Sequence, residues 1–189
     1  MIVFVVVILL LVCLCILFLF VTFTYDSLRI SAPTIFSSKK AIDDLFNQVA
    51  FPKDSIFLDI GSGDGRVVQS FLKKNEGKGF GKAIGIEKGV VSYWLSRLRV
   101  RSPRVQFFLL DAFDARALPI YQSSTHIFVY LYPAMLERLL PVLKQEAKKG
   151  TIVMSLDFEI KGLVLEKVLT LANEGKFYSF GRRVYFYKL

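Results

Sequence analysis

Apolar and polar positions divide the chain into two regimes. Residues Ile2–Val21 carry no charged side chain and almost no polar one. Twenty residues of helix span roughly 30 Å, the hydrocarbon thickness of a bilayer. The stretch therefore predicts an uncleaved transmembrane anchor over residues 1–24. A secretory signal peptide would show a basic start, a shorter apolar run and a small-residue cleavage site. Here nothing basic precedes the run, which ends Phe20-Val21-Thr22-Phe23-Thr24-Tyr25. Residues 25–36, with Ser31-Ala32-Pro33-Thr34, predict a linker, because Pro33 discourages helix in its neighbour.

From residue 37 onward, short apolar runs alternate with stretches of helical period. Ser37 or Ser38 can cap a helix to Val49 whose face is Ile42, Leu45, Phe46 and Val49. Strand one is Ser55–Asp59, followed by a glycine turn and a helix to Asn75. Strand two, Ala83–Glu87, precedes a helix over Val90–Val100, in which Val91, Trp94, Leu95 and Leu98 share a face. Strands follow at Val105–Leu110 and His126–Leu131. A helix over Ala134–Lys149 carries Pro141, where a break is expected. Thr151–Leu156, Leu163–Leu171 and Arg182–Lys188 read as the last strands, the final two joined through Asn173-Glu174-Gly175. Alternating strands and helices imply an α/β fold with a mostly parallel sheet. Two closing strands with no helix between them imply an antiparallel C-terminal edge.

Charge adds orientation and partners. The net charge of +9 falls outside the apolar run. No basic residue precedes the run, whereas Arg29, Lys39 and Lys40 follow it, which predicts a single-pass protein with its domain on the cytoplasmic side. Such a basic domain suits anionic lipid or nucleic acid. Arg97, Arg99, Arg101 and Arg104 crowd one region and read as a solvated face or a contact with lipid heads. Both cysteines, Cys13 and Cys15, lie in the apolar run, and the remainder holds one histidine. Disulfides and metal sites built from His or Cys therefore have no material, and no metal is expected.

The chemistry gathers where strands end. Asp59 is followed by glycines at 61, 63 and 65, and the turn opens a helix. Glycines permit a sharp bend and close approach to a ligand, and a helix start offers unpaired N–H groups. Glu87 ends strand two at the spacing of an acid that accepts ribose hydroxyls. Asp111, or the backbone of Ala112, falls where a purine would lie. The turn reads G-x-G-x-G rather than the dinucleotide G-x-G-x-x-G, and an acid at its entrance opposes a pyrophosphate. A ligand combining an ammonium group with adenosine, S-adenosylmethionine (SAM), satisfies these acids better than NAD. Asp114 reads as a helix cap, and His126 as structural rather than as a general base.

DIGSGDGR at 59–66 resembles motif I of class I SAM-dependent methyltransferases, and IGIEK and FFLLDAF resemble the next two cofactor segments. With the N-terminal apolar run and GIEK…YWLSRLR, the chain resembles the membrane-anchored protein-lysine methyltransferases that modify ATP synthase c subunit and the adenine nucleotide carrier, and their bacterial look-alikes. The resemblance implies a Rossmann-like domain over 37–189 that binds SAM through Asp59, Gly61, Ser62, Gly63, Glu87, Asp111 and Ala112. It places substrate contacts at Tyr130, Tyr132 and Pro133 and implies a protein lysine at the membrane as acceptor. Lys88-Gly89 departs from the Asn-Pro expected there. YLYP is not the N-P-P-Y of amino-methylating nucleic-acid enzymes, so nucleic acid is not the expected partner. No catalytic residue is identified. A lipid or quinone acceptor, or a silent SAM-binding protein, are the competing readings.

Overall fold

The computed structural model describes residues 2–29, 37–172 and 182–189. Seven strands form one sheet: β1 (Ile56–Ile60), β2 (Lys82–Glu87), β3 (Val105–Leu109), β4 (His126–Val129), β5 (Ile152–Leu156), β6 (Leu165–Thr170) and β7 (Arg183–Lys188). Their order is β3-β2-β1-β4-β5-β7-β6. The first five are parallel, and β7 runs antiparallel between β5 and β6. The expected antiparallel edge is present, with the last strand inside and β6 outermost. Strand order reverses between β1 and β4, which leaves a crevice beyond their carboxyl ends.

Successive strand residues face opposite sides of the sheet, and each side has its own core. Phe57 faces α2 (Lys39–Gln48) and α3 (Arg66–Asn75), where Phe46, Phe51, Phe71 and Phe80 join one aromatic cluster. Phe57 stacks on Phe71 at 4.3 Å and ties β1 to the helix that follows the glycine turn. Leu58 and Ile60 face α5 (Leu118–Ser123) and α6 (Pro133–Glu146), packing with Tyr121, Leu136, Leu139 and Leu143. His126 is buried against Phe51, with ring centroids 4.9 Å apart.

Several local expectations change. α6 runs unbroken through Pro141, which lies on its exposed side. Ser38 occupies the N-cap of α2, but its side chain makes no cap hydrogen bond. The shared apolar face of α4 (Val90–Arg99) points outward, leaving Ser96 as the helix's buried residue. Asp114 does cap, accepting the Arg116 N–H at 2.9 Å at the head of a short 3-10 turn.

At the N-terminus, α1 (Ile2–Arg29) extends past the expected anchor boundary at residue 24 and touches α4. The expected membrane span is not found as such: among the described residues no helix is long and apolar enough to cross a membrane. Residues 30–36 of the expected linker and the 173–175 joint lie outside the described residues.

Candidate active site

The glycine turn is built by backbone conformation that side chains oppose. Gly61, Gly63 and Gly65 all have positive φ, at 75°, 52° and 78°. The N–H groups of Gly61 and Ser62 donate to the Ile86 carbonyl at 2.9 and 3.0 Å, which fastens the turn to β2. A Cβ at Gly65 would sit 2.9 Å from Ser96 Cβ, so α3 can start only this close to α4 with glycine there. A Cβ at Gly63 would meet nothing within 4 Å. The turn's backbone is thus open to an approaching group at Gly63 and closed by packing at Gly65.

Glu87 ends β2 and reaches under this turn. Its carboxylate accepts the Gly63 N–H and the Gly89 N–H, each at 2.7 Å. Asp59 lies on β1, one residue before its end, and is buried. Burial, with Glu87 and then Asp64 nearby, pushes the Asp59 carboxyl well above the usual carboxylate range. Among the described residues, Asp59 Oδ2 and the buried Ser62 Oγ have no hydrogen-bond partner. Unpartnered buried polar atoms are uncommon and costly, and these two lie at the same turn.

Asp64 has another role. It takes Arg66 at 2.9 Å and Arg99 at 2.8 Å, which clamps the turn to α4. Burial raises its pKa, but the Arg66 hydrogen bond and the two guanidinium charges prevail and hold it low.

Asp111, two residues beyond β3, pairs with Lys88 at 2.8 Å and accepts the Phe113 N–H at 3.1 Å. Its pKa is likewise low, because these bonds outweigh partial burial. Lys88, at the position where the sequence departs from Asn-Pro, therefore bridges the ends of β2 and β3. The carbonyl of Ala112 accepts the Tyr121 hydroxyl at 2.9 Å.

A second group lies beyond β4 and β5. Tyr130 donates its hydroxyl to Asp157 Oδ2 at 3.3 Å. The Phe158 ring stands 6.4 Å from that of Tyr130 and 6.1 Å from that of Tyr132. Pro133 opens α6 and is exposed. Asp157 has a left-handed φ of 61° and accepts the Arg182 N–H at 2.8 Å through its other oxygen. Sequence reasoning missed Asp157 and Phe158, although Asp157 follows its strand as Asp111 follows β3. Burial, and then Asp157, keep the Tyr130 hydroxyl above its ordinary range, so it acts as a donor.

A model of the ANTKMT methyltransferase domain matches residues 59–167, from Asp59 to β6. The chain belongs to this family. It is similar to a protein-lysine N-methyltransferase of Saccharolobus islandicus (strain REY15A), 26% identical over 150 residues, 75% of this chain and 86% of that protein. Its fold resembles an RNA methyltransferase from Salinibacter ruber in complex with S-adenosyl-L-homocysteine, at a TM-score of 0.63 and 24% identity over 83% of this chain and 93% of that one. A SAM-dependent methyltransferase from Geobacter sulfurreducens, also with S-adenosyl-L-homocysteine, aligns at a TM-score of 0.52 and 16% identity over 66% of this chain and 51% of that one. At these identities the two structures speak for the fold.

In this ANTKMT-type domain the residues fit SAM. Asp59 Oδ2 and Ser62 Oγ offer buried atoms in need of partners, and the ligand's ammonium would supply one for the carboxylate. The Glu87 carboxylate, held against the glycine turn by the Gly63 and Gly89 N–H groups, lies where a ribose hydroxyl would meet it. Lys88 and Asp111 line the place expected for adenine. Among the described residues no group of His, Cys, Asp or Glu is placed to hold a metal ion.

Proposed function

We propose that this methyltransferase transfers a methyl group from SAM to the side-chain amine of a lysine in a protein held at a membrane, with α1 as its anchor and the domain on the cytoplasmic side. The observation that carries the acceptor is the group of Tyr130, Tyr132, Phe158 and Asp157. Aromatic faces beside a carboxylate suit an alkylammonium, whereas the carboxylate would repel a nucleic-acid phosphate. The kinship with a protein-lysine enzyme supports the same reading.

Bound SAM supplies a methyl carbon made electrophilic by its sulfonium. The chain's own contribution is placement: Glu87 and the glycine turn fix one reactant, and the aromatic group fixes the other. Holding two reactants in line can replace most of the help a catalytic base would give. Asp157 steadies the arriving ammonium, and the amine reacts once it has released its proton to solvent. The anchor rests on the uncharged run Ile2–Val21 and the basic residues that follow it.

The test incubates the full-length protein with membranes and methyl-labelled SAM, then separates protein from lipid. Label recovered as methyl-lysine after hydrolysis of the protein fraction is the expected outcome. Label confined to the lipid extract would move the acceptor to a lipid or quinone.

A further inference from the structure

The outer face of α4 joins three features that a water-facing helix rarely combines. Trp94 and Leu98 are 55% and 62% exposed, and Leu95 lies exposed between them. On the neighbouring edge strand β3, Phe108 and Leu109 are exposed as well. Contiguous exposed apolar side chains of this kind mark an interaction surface.

The second feature is charge. Residues 88–110 contain Lys88, Arg97, Arg99, Arg101 and Arg104 and no acidic residue. Lys88 and Arg99 are paired with Asp111 and Asp64, and Arg104 lies 5.4 Å from the centre of the Phe80 ring. Arg97 and Arg101 instead line a groove of about 360 Å³ that Phe107 and Phe108 complete. The third feature is an interfacial aromatic pair. Tyr93 and Trp94 meet edge to face at 5.5 Å. Arg97 lies 5.8 and 5.7 Å from their ring centroids and donates to the Tyr93 hydroxyl at 3.0 Å. Tyr and Trp beside arginine, with apolar neighbours, is the chemistry of a membrane–water boundary.

We propose that this face of α4, with the β3 edge, seats on an anionic phospholipid surface. Trp94, Leu95 and Leu98 enter the headgroup boundary while Arg97 and Arg101 bind phosphate. Two observations select lipid over other occupants. The segment that carries the patch, residues 88–110, supplies cations and no acidic residue, matching an anionic sheet of headgroups. The patch's own helix also touches α1, a helix rich in exposed apolar side chains. This deepens the membrane setting proposed above and rests on it. Seating α4 would fix which way the glycine turn faces, since Arg99 of the same helix holds Asp64.

The chain contains a single tryptophan, Trp94, so its emission reports on this face. The full-length protein is mixed with vesicles of phosphatidylcholine, or of phosphatidylcholine with phosphatidylglycerol, each with and without brominated chains. Flotation reads the anchor, and bromine quenching of Trp94 reads the patch. The expected result is flotation with both vesicles, and a blue shift with strong quenching only in the anionic ones. Arg97→Gln with Arg101→Gln should lower the ratio of seated to unseated protein about 25-fold, since each arginine near an anionic surface is worth about a five-fold factor.

Flotation with Trp94 unquenched in both vesicles would overturn the proposal and leave the anchor standing. Equal quenching in neutral and anionic vesicles would overturn it too. A concentration-dependent blue shift without lipid would assign the face to a second copy of the chain. Flotation and quenching with anionic vesicles alone would uphold the patch and refute the anchor, and flotation with neither would refute both.

Discussion

Glu87 accepts the Gly63 N–H at 2.7 Å, so the acid that ends β2 holds the glycine turn that ends β1. One side chain thus joins the shape of the turn to the ribose contact proposed for Glu87. Glu87→Ala should weaken SAM binding about 100-fold, the loss of two hydrogen bonds to a charged acceptor at about 1.5–3 kcal/mol each, less what water restores. It should also lower stability by about 1–3 kcal/mol, because the Gly63 and Gly89 N–H groups lose their acceptor. Calorimetric titration and urea denaturation read the two effects separately.

Gly85, in the middle of β2, has no room for a side chain. A Cβ there would lie 2.5 Å from Phe107 Cδ1 and 2.7 Å from Ser62 Oγ. Gly85→Ala should therefore destabilise the domain by about 1–3 kcal/mol through overpacking. Pushing Ser62 should weaken SAM binding as well, whereas a comparable loss placed in α6 should not.

Asp59 ties cofactor binding to pH. Its folded pKa is raised, chiefly by burial and then by Glu87 and Asp64. In the unliganded protein its contribution is therefore most favourable below the ordinary carboxyl range and is lost as pH rises through the raised value. Asp59→Asn should remove that loss. SAM affinity should move the opposite way, rising with pH over the same window, because only the ionised carboxylate attracts an ammonium. Proton release on binding, measured in buffers of different ionisation enthalpy, should be present in the parent and absent in Asp59→Asn.

His126 sets an opposite slope in the acid range. Burial lowers its pKa to about 4 from the ordinary 6.5, so it stays neutral in the fold. Its contribution is complete above pH 6.5 and is lost as pH falls toward about 4. The loss should be on the order of 3 kcal/mol. His126→Gln should flatten the dependence of urea stability on pH between these limits.

Asp157 should matter to the acceptor and not to the cofactor. Asn also tolerates the left-handed backbone found there, so Asp157→Asn should fold. It should lower kcat/KM for the protein acceptor on the order of ten-fold or more through loss of a charge-assisted contact. SAM affinity should be unchanged.

The glycine turn and the strand-end acids were legible in the sequence, for a physical reason. FLDIGSGDG combines a buried strand, a turn and a helix start within nine residues, and Glu87 and Asp111 repeat the placement of acid at strand ends. The group around Tyr130 was less legible. Tyr130 and Asp157 are 27 residues apart, and they meet only because β5 is laid beside β4. Periodicity showed that Trp94, Leu95 and Leu98 share a face but not what the face meets. Lys88 looked like a departure from a motif until Asp111 was found opposite it. The six-residue α5 is too short to leave a periodic signal.

Titration of the full-length protein with SAM in detergent or vesicles tests the central claim most directly. One SAM per chain should bind, with affinity lowered about 100-fold by Glu87→Ala and left intact by Asp157→Asn. Absence of binding by the folded parent, or binding that Glu87→Ala leaves unchanged, would contradict the site described above.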